Sequence, residues 1–319
     1  MISLNDIKQA RENISGIIHK TPIIQSEQLS GISGNDVYLK GEHVQKTGSF
    51  KIRGASNKVI SAVRGGAGKV TAASSGNHGQ AVAYISKKLN VPATVVVPED
   101  AALCKINAIS SYGAGIEKCG TTSAERIPKA MELAESEGGV FIPPYDDPLV
   151  MAGQGTTGLE IIEELDDIDA IIVPVGGGGL LSGILTAVKE TNPAVKVYGA
   201  EPLLANDTFL SLQNQKITSI PTAPTIADGL RSSQPGDMTF PVLMKYLDDL
   251  ILVNEDEIKQ SFFFVLERLK QLIEPSSAVA VAAAMYGKIP LEGKKVAVVL
   301  SGGNVDLGRL SDLMPEDRR

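Results

Sequence analysis

Tryptophan is absent from the chain, and seven tyrosines and seven phenylalanines make up only 4% of it. A platform for stacking single-stranded bases needs exposed rings, so that class is disfavoured. Two cysteines, Cys104 and Cys119, are too few for a disulfide framework and fit a reducing, cytoplasmic setting. Positive charge is also scarce. Against 37 Asp and Glu stand 30 Lys and Arg, a net charge of −7, the opposite of a general nucleic-acid footprint. Residues 1–20 carry Asp6, Lys8, Arg11 and Glu12 and show no apolar targeting run. Only residues 170–188 are uncharged over nearly the length of a membrane span. Pro174 and four glycines interrupt them, and lipid would leave backbone groups there unpaired, so a strand, a loop and a helix are expected instead.

Glycine is in excess, with 32 residues where the average is about 7%. Much of it lies where a β-branched run gives way to a helical pattern. Helices are expected at 6–18, 49–63, 77–89, 102–112, 123–137, 149–165, 180–190, 255–272 and 276–286. Strands are expected at 36–40, 70–73, 93–97, 115–118, 140–142, 170–175, 195–200 and 295–300, with 203–237 looser. Such alternation implies an α/β fold whose parallel sheets are buried on both faces. Residues 69–147 hold four of the strands and form one unit; the rest form a second. Ligands of this class bind at the carboxyl ends of strands, in a cleft between units.

Gly176, Gly177, Gly178 and Gly179 lie between an expected strand and an expected helix. Amides unobstructed by Cβ atoms can close on an anion, and the helix N-terminus adds its dipole, which makes a phosphate cradle. A tight turn without a ligand is the plain alternative. The run is not a Walker A loop, because Gly183 is followed by Ile184 rather than lysine. Nor is it G-x-G-x-x-G, because the third glycine would fall on Leu181 or Ser182. Glu201 stands where a dinucleotide fold places its ribose-binding acid. Together with Asp207 it would suit a hard divalent cation, or both are solvated loop acids.

Lys51 sits between Phe50 and Ile52 at an expected helix start. A lysine kept unprotonated forms a Schiff base with an aldehyde, and a phosphate cradle elsewhere suggests pyridoxal phosphate; an ordinary surface lysine is the alternative. Ser74, Ser75 and Asn77 offer hydroxyl and amide groups beside a helix N-terminus, fit for a ligand carboxylate or for simple capping. His78 is a base or a packed side chain. Ser301 ends a buried strand before two glycines, where its hydroxyl can meet a ring nitrogen.

The segments KTGSFKIRGA, SSGNHGQ, AGQGT, PVGGGGLLSGI, AEP, TIADGL, IEPSSAVA and LSGGNVD occur in this order. Together they resemble the fold type II pyridoxal-phosphate enzymes, and most closely the serine racemase and serine/threonine dehydratase family, over residues 7–310. The resemblance implies a two-domain, tryptophan synthase β-like fold, with a large cofactor-binding domain (1–68 plus 148–319) and a small substrate-gating domain (69–147). Lys51 would hold the cofactor, Phe50 would stack beside its ring, and Asn77 would bond the ring hydroxyl. The amides of residues 176–179 and Leu180 would bind the phosphate, and Ser301 would face the ring nitrogen. A serine there leaves that nitrogen unprotonated and the ring a weaker electron sink.

Ser75 carries a distinction within the family. Threonine dehydratases usually show SAGNH, whereas racemases show SSGNH, as here, and 3-hydroxyaspartate dehydratases can share the serine. Lys51 and Ser75 would be the catalytic pair, one on each face of the substrate's α-carbon. Ser74, Asn77, His78 and Arg126 would bind substrate. Glu201, the Ala205 carbonyl and Asp207 match the family's site for Mg²⁺ (or Ca²⁺ or Mn²⁺). Ser26, Lys46, Thr47, Gln80, Ala108, Tyr112, Lys270 and Asn304 match a site for ATP as an effector at a homodimer interface. The implied activity is serine racemisation together with loss of water from serine. Threonine or 3-hydroxyaspartate dehydration is the alternative, and a non-catalytic binding module on the same fold a distant one. No nucleic acid or membrane is implied.

Overall fold

The computed structural model describes residues 1–101 and 103–315; Ala102, where a helix is expected to start, and the side chain of Cys104 lie outside the described set. Among the described residues ten strands run in chain order: β1 (Ile23–Gln25), β2 (Asp36–Gly41), β3 (Val70–Ala73), β4 (Ala93–Val97), β5 (Gly115–Lys118), β6 (Val140–Phe141), β7 (Ala170–Pro174), β8 (Lys196–Pro202), β9 (Asp249–Val253) and β10 (Lys295–Leu300). They form two sheets, ordered β1-β2-β10-β7-β8-β9 and β5-β4-β3-β6. Every pairing is parallel except β1 with β2. Both faces of the larger sheet are buried. Along β7, Ala170 and Ile172 pack into one apolar cluster, Ile171 and Val173 into the other. This two-sided burial explains why the strands read as continuous apolar runs rather than alternating ones.

The last strand in sequence lies near the middle of its sheet. β10 pairs with β2 on one side (Leu300 opposite Gly41) and with β7 on the other (Val298 opposite Ile172). Because the three strands are parallel, the segment leading to Lys51, Ser301 and the glycine loop all leave the same edge. Ser49 makes a β-bridge with Gly302, and the Phe50 amide donates to the Ser301 carbonyl at 3.0 Å. That extended pairing delays the helix expected from residue 49, so it begins at Lys51 (Lys51–Arg64).

Three helices approach backbone to backbone beneath this edge. A Cβ on Gly153 of helix Pro148–Glu164 would lie 2.6 Å from the Gly54 Cα. A Cβ on Gly183 of helix Gly179–Lys189 would lie 2.5 Å from the Gly155 nitrogen. The central helix therefore sets the lysine's helix against the helix that follows the glycine loop. Residues 170–188 are a strand, a loop and a helix, and among the described residues no helix is long and apolar enough to cross a membrane.

Elsewhere the structure departs from expectation. The helix expected over 255–272 is α-helical only at Glu255–Phe264, continues as a π-helical turn (Val265–Leu269) and stops at Lys270, whose φ is +59°. Strands β1 and β9 and helices Glu27–Ser33 and Phe240–Tyr246, of three to seven residues each, were not expected. The loose 203–237 region contains the short helix Asp207–Gln213.

Candidate active site

A cleft of about 770 Å³ opens at the carboxyl ends of β3, β7 and β10, lined by Phe50, Lys51, Ser74, Ser75, Asn77, His78, Arg126, residues 176–179, Leu180, Glu274 and Ser301. The structure thus gathers every residue proposed from sequence to touch cofactor or substrate.

Lys51 is half-buried, its Nζ donating to the Pro144 carbonyl at 2.6 Å and lying 5.2 Å from the Phe50 ring centroid. Burial pulls its ammonium down to about 8, against the opposing charge of Glu274. A substantial neutral fraction therefore exists near neutrality, which attack on an aldehyde requires.

The glycine loop is held from below. Gly178, the N-cap of the following helix, has φ +89°, and Thr239 Oγ1 donates to the Gly177 carbonyl at 2.8 Å. The first amides of that helix have no partner within it, and residues 176–179 and Leu180 line the cleft, as an anion cradle at a helix N-terminus requires. A Cβ on Gly178 would meet Thr239 Oγ1 at 2.8 Å, and one on Gly177 would meet the Tyr145 ring at 2.5 Å. Only glycine fits this cradle.

On the other wall, strand β3 delivers the serines and Asn77 begins helix Asn77–Lys88. A Cβ on Gly79 would fall 2.2 Å from the Ser74 carbonyl, so close approach of strand end and helix requires glycine there. Ser74 Oγ accepts from the Gly76 amide at 3.2 Å, while Ser75 lines the cleft. Asn77 donates to both oxygens of Glu274 and accepts from Asn304 Nδ2 at 2.8 Å, and Asn304 also donates to the Thr47 carbonyl at 2.8 Å. Glu274 lies in the motif IEPSSAVA but had no role read from sequence; burial pushes its carboxyl up to about 7.

His78 Nε2 lies 2.8 Å from the Ile142 carbonyl, which can only accept, so the ring carries its proton there. Burial, helped by the charge on Lys51, holds its pKa near about 3, and it stays neutral. Ser301 Oγ is buried 3.2 Å from Ser277 Oγ, and Ser277 Oγ donates to the Gly302 carbonyl at 2.6 Å. That corner therefore holds neutral hydroxyls. Arg126 donates from Nη2 to Ser123 Oγ, while its buried Nε and Nη1 have no hydrogen-bond partner.

Outside the cleft, Glu201 and Asp207 are fully buried next to the buried Ala205. Glu201 accepts from the amides of Thr208 and Phe209 at 3.0 and 2.9 Å, whereas neither oxygen of Asp207 has a partner. Burial, then the charge of Asp207, pushes Glu201 up to about 8; burial pushes Asp207 up to about 7. The donor set is two carboxylates and a carbonyl, and among the described residues no group of three or more His, Cys, Asp or Glu side chains is poised for a metal. The residues matched to ATP are dispersed. Gln80, Ala108 and Asn304 line the cleft, Tyr112 lines a separate cavity, Lys46 and Lys270 are exposed, Thr47 is buried and Ser26 caps the helix Glu27–Ser33.

A depressed lysine, a Cβ-free anion cradle and a neutral hydroxyl corner around one cleft are what a pyridoxal-phosphate enzyme needs. The profile of the family "Pyridoxal-phosphate dependent enzyme" matches residues 14–302, and the chain belongs to that family, within its racemase and ammonia-lyase members of fold type II. It is 46% identical to a serine racemase of Dictyostelium discoideum, over 98% of both chains. It is 43% identical to an L-threonine ammonia-lyase of Thermotoga maritima, over 98% of this chain and 78% of that one. The maize serine racemase structure superposes with a TM-score of 0.94 at 36% identity, covering 98% of this chain and 96% of that one.

Proposed function

We propose that the protein interconverts L- and D-serine and also eliminates water from serine, giving pyruvate and ammonia. The observation that carries this reading is that Lys51 and Ser75 open onto one cleft, so two proton-carrying groups are available to one α-carbon. When bound, pyridoxal phosphate supplies an aldehyde for the amine and a conjugated ring that spreads the charge left by proton loss. The amides of residues 176–179 and Leu180 would hold the phosphate, Phe50 would stack beside the ring, and Ser301 would offer its nitrogen a neutral hydroxyl. Ser74 and Asn77 would orient the substrate carboxylate and the ring hydroxyl, and His78 shapes the pocket as a neutral group.

Lys51 Nζ takes the α-proton from one face. In racemisation the Ser75 hydroxyl gives a proton to the opposite face, and the reverse direction exchanges the two roles. In elimination the proton on Lys51 goes to the departing β-hydroxyl, which leaves as water. Hydrolysis of the resulting three-carbon enamine consumes one water and releases pyruvate and ammonia. Incubation of the holoenzyme with L-serine tests this: D-serine and pyruvate should both accumulate, and pyruvate alone would reduce the activity to a dehydratase.

Arg126 supports a second reading. Its unpartnered Nε and Nη1 suit a substrate with a second carboxylate, and 3-hydroxyaspartate is one that a dehydratase would accept. Comparing kcat/KM for serine, threonine and 3-hydroxyaspartate separates the two. The reading further includes a Mg²⁺ (or Ca²⁺ or Mn²⁺) ion held by Glu201, the Ala205 carbonyl and Asp207, supported by the bare buried oxygens of Asp207. A homodimer and a cytoplasmic location rest on the family resemblance. A site for ATP as an effector at that dimer interface rests on the same resemblance.

A further inference from the structure

Two residues beyond Lys51, the fully buried Arg53 makes a double fork. Its Nε and Nη2 donate to Glu42 at 2.8 and 2.7 Å, its Nη1 and Nη2 to Glu160 at 2.6 and 2.9 Å, and its Nη1 to Thr156 Oγ1 at 3.1 Å. Lys40, equally buried, pairs with Glu160 at 2.7 Å and Glu164 at 3.3 Å and donates to the Thr21 carbonyl at 2.7 Å. Replacing buried ion pairs by apolar groups is often neutral or stabilising, so stability alone is a weak reason for this cluster. What it fixes is geometry.

Glu42 begins the segment 42–50 that leads into Lys51, so the Arg53–Glu42 fork ties the start of that segment to the first turn of the helix that follows it. Glu160 lies on helix Pro148–Glu164, whose Gly155 meets Gly183 of the helix after the glycine loop. One guanidinium thus ties the lysine's helix both to its incoming loop and to helix Pro148–Glu164, which packs against the helix that follows the glycine loop. A lysine could not serve, because it is a point charge with no planar fork.

We propose that Arg53 is a positioning residue for Lys51, holding its amine in register with the glycine loop. The inference rests on Lys51 being the lysine that bonds the cofactor.

The test uses Arg53→Lys, together with the triple variant Arg53→Met/Glu42→Gln/Glu160→Gln, which removes the fork without stranding either buried carboxylate. Two readouts are taken at matched folding, checked by circular dichroism and melting. The first is the rate at which added pyridoxal phosphate becomes borohydride-trapped on Lys51, followed by peptide mass mapping. The second is the kcat and KM of the holoenzyme for L-serine. Misplacing a reacting group by about 1 Å costs on the order of 10²-fold. Trapping and kcat should therefore each fall by about 10–100-fold, with KM nearly unchanged, and Arg53→Lys should rescue neither. If both readouts stay at the wild-type level in a folded variant, or if kcat falls only as melting falls, the inference is overturned. Should the triple variant not fold, Glu42→Gln, which keeps a hydrogen-bond acceptor and opens one fork, decides by the same readouts. Trapping on a lysine other than Lys51 in the wild type would instead sink the reading of the site itself.

Discussion

The side-chain amide of Asn77 donates to both carboxylate oxygens of Glu274, at 2.9 and 3.0 Å, and so joins the helix after β3 to the loop before helix Pro275–Met285. Glu274 is buried, and its carboxyl is raised from 4.5 to about 7 by that burial, with the bonds from Asn77 opposing. The folded chain therefore binds a proton that the unfolded chain releases between these values. The contribution to stability is full below about 4.5 and is lost as pH rises through about 7. Glu274→Gln should gain in melting temperature relative to the wild type as pH is raised from about 5 to about 8. A difference that does not change with pH would contradict this placement of the charge.

Lys51 supplies a second pH signature. Its amine, held near about 8 by burial, should attach pyridoxal phosphate at a rate that rises with pH through about 8 rather than through the 10.5 of a free lysine. Borohydride trapping across that range reads the midpoint. Lys51→Ala should abolish trapping and leave melting nearly intact, because the glycine loop is anchored by Thr239 and not by the lysine.

Much of this cleft is legible in the sequence because its parts sit at strand ends, where composition changes abruptly. Val70–Ala73, Ala93–Val97 and Lys295–Leu300 are largely apolar, β-branched runs bounded by polar residues or proline, and their borders are the observed ones. The functional residues follow directly: Ser74, Ser75 and Ser301. Glu274 was not legible as a site residue. An acid before a proline at a helix start reads as a solvated cap, and its placement depends on distant partners: its amide donates to the Gly302 carbonyl at 3.0 Å, and Asn77 lies 197 positions away. Arg53 was passed over for a similar reason. A charged residue one turn into a helix reads as surface, and its burial depends on carboxylates 11 and 107 positions away. The short strand β9 is hidden because LDDLILV carries its acids at one end, without alternation.

The cradle makes a stability prediction. Gly178 has φ +89°, a conformation costing an L-residue about 1–2 kcal/mol, and its Cβ would meet Thr239 Oγ1 at 2.8 Å. Gly178→Ala should lower the melting temperature and weaken pyridoxal phosphate binding at least about tenfold, or about 1.4 kcal/mol. Wild-type affinity by absorbance titration would remove the loop from the phosphate site.

The acid pair is tested by metal removal. Mg²⁺ or Ca²⁺ should raise the melting temperature of the wild type, since a ligand stabilises the state that binds it, and EDTA should reverse the rise. Asp207→Asn should abolish the metal-dependent rise. If EDTA and the substitution change nothing, Glu201 and Asp207 are a buried polar pair without an ion.

The proposed racemisation requires Lys51 on one face of the substrate's α-carbon and Ser75 on the other. The decisive measurement is the product profile of Ser75→Ala, with D-serine formed from L-serine and pyruvate from each enantiomer assayed in the same preparation. A positioned acid–base group contributes about 10²–10⁴-fold. Racemisation and elimination from D-serine should fall by that order, while elimination from L-serine largely survives. Equal losses in all three reactions, or no loss in any, would contradict the two-face assignment.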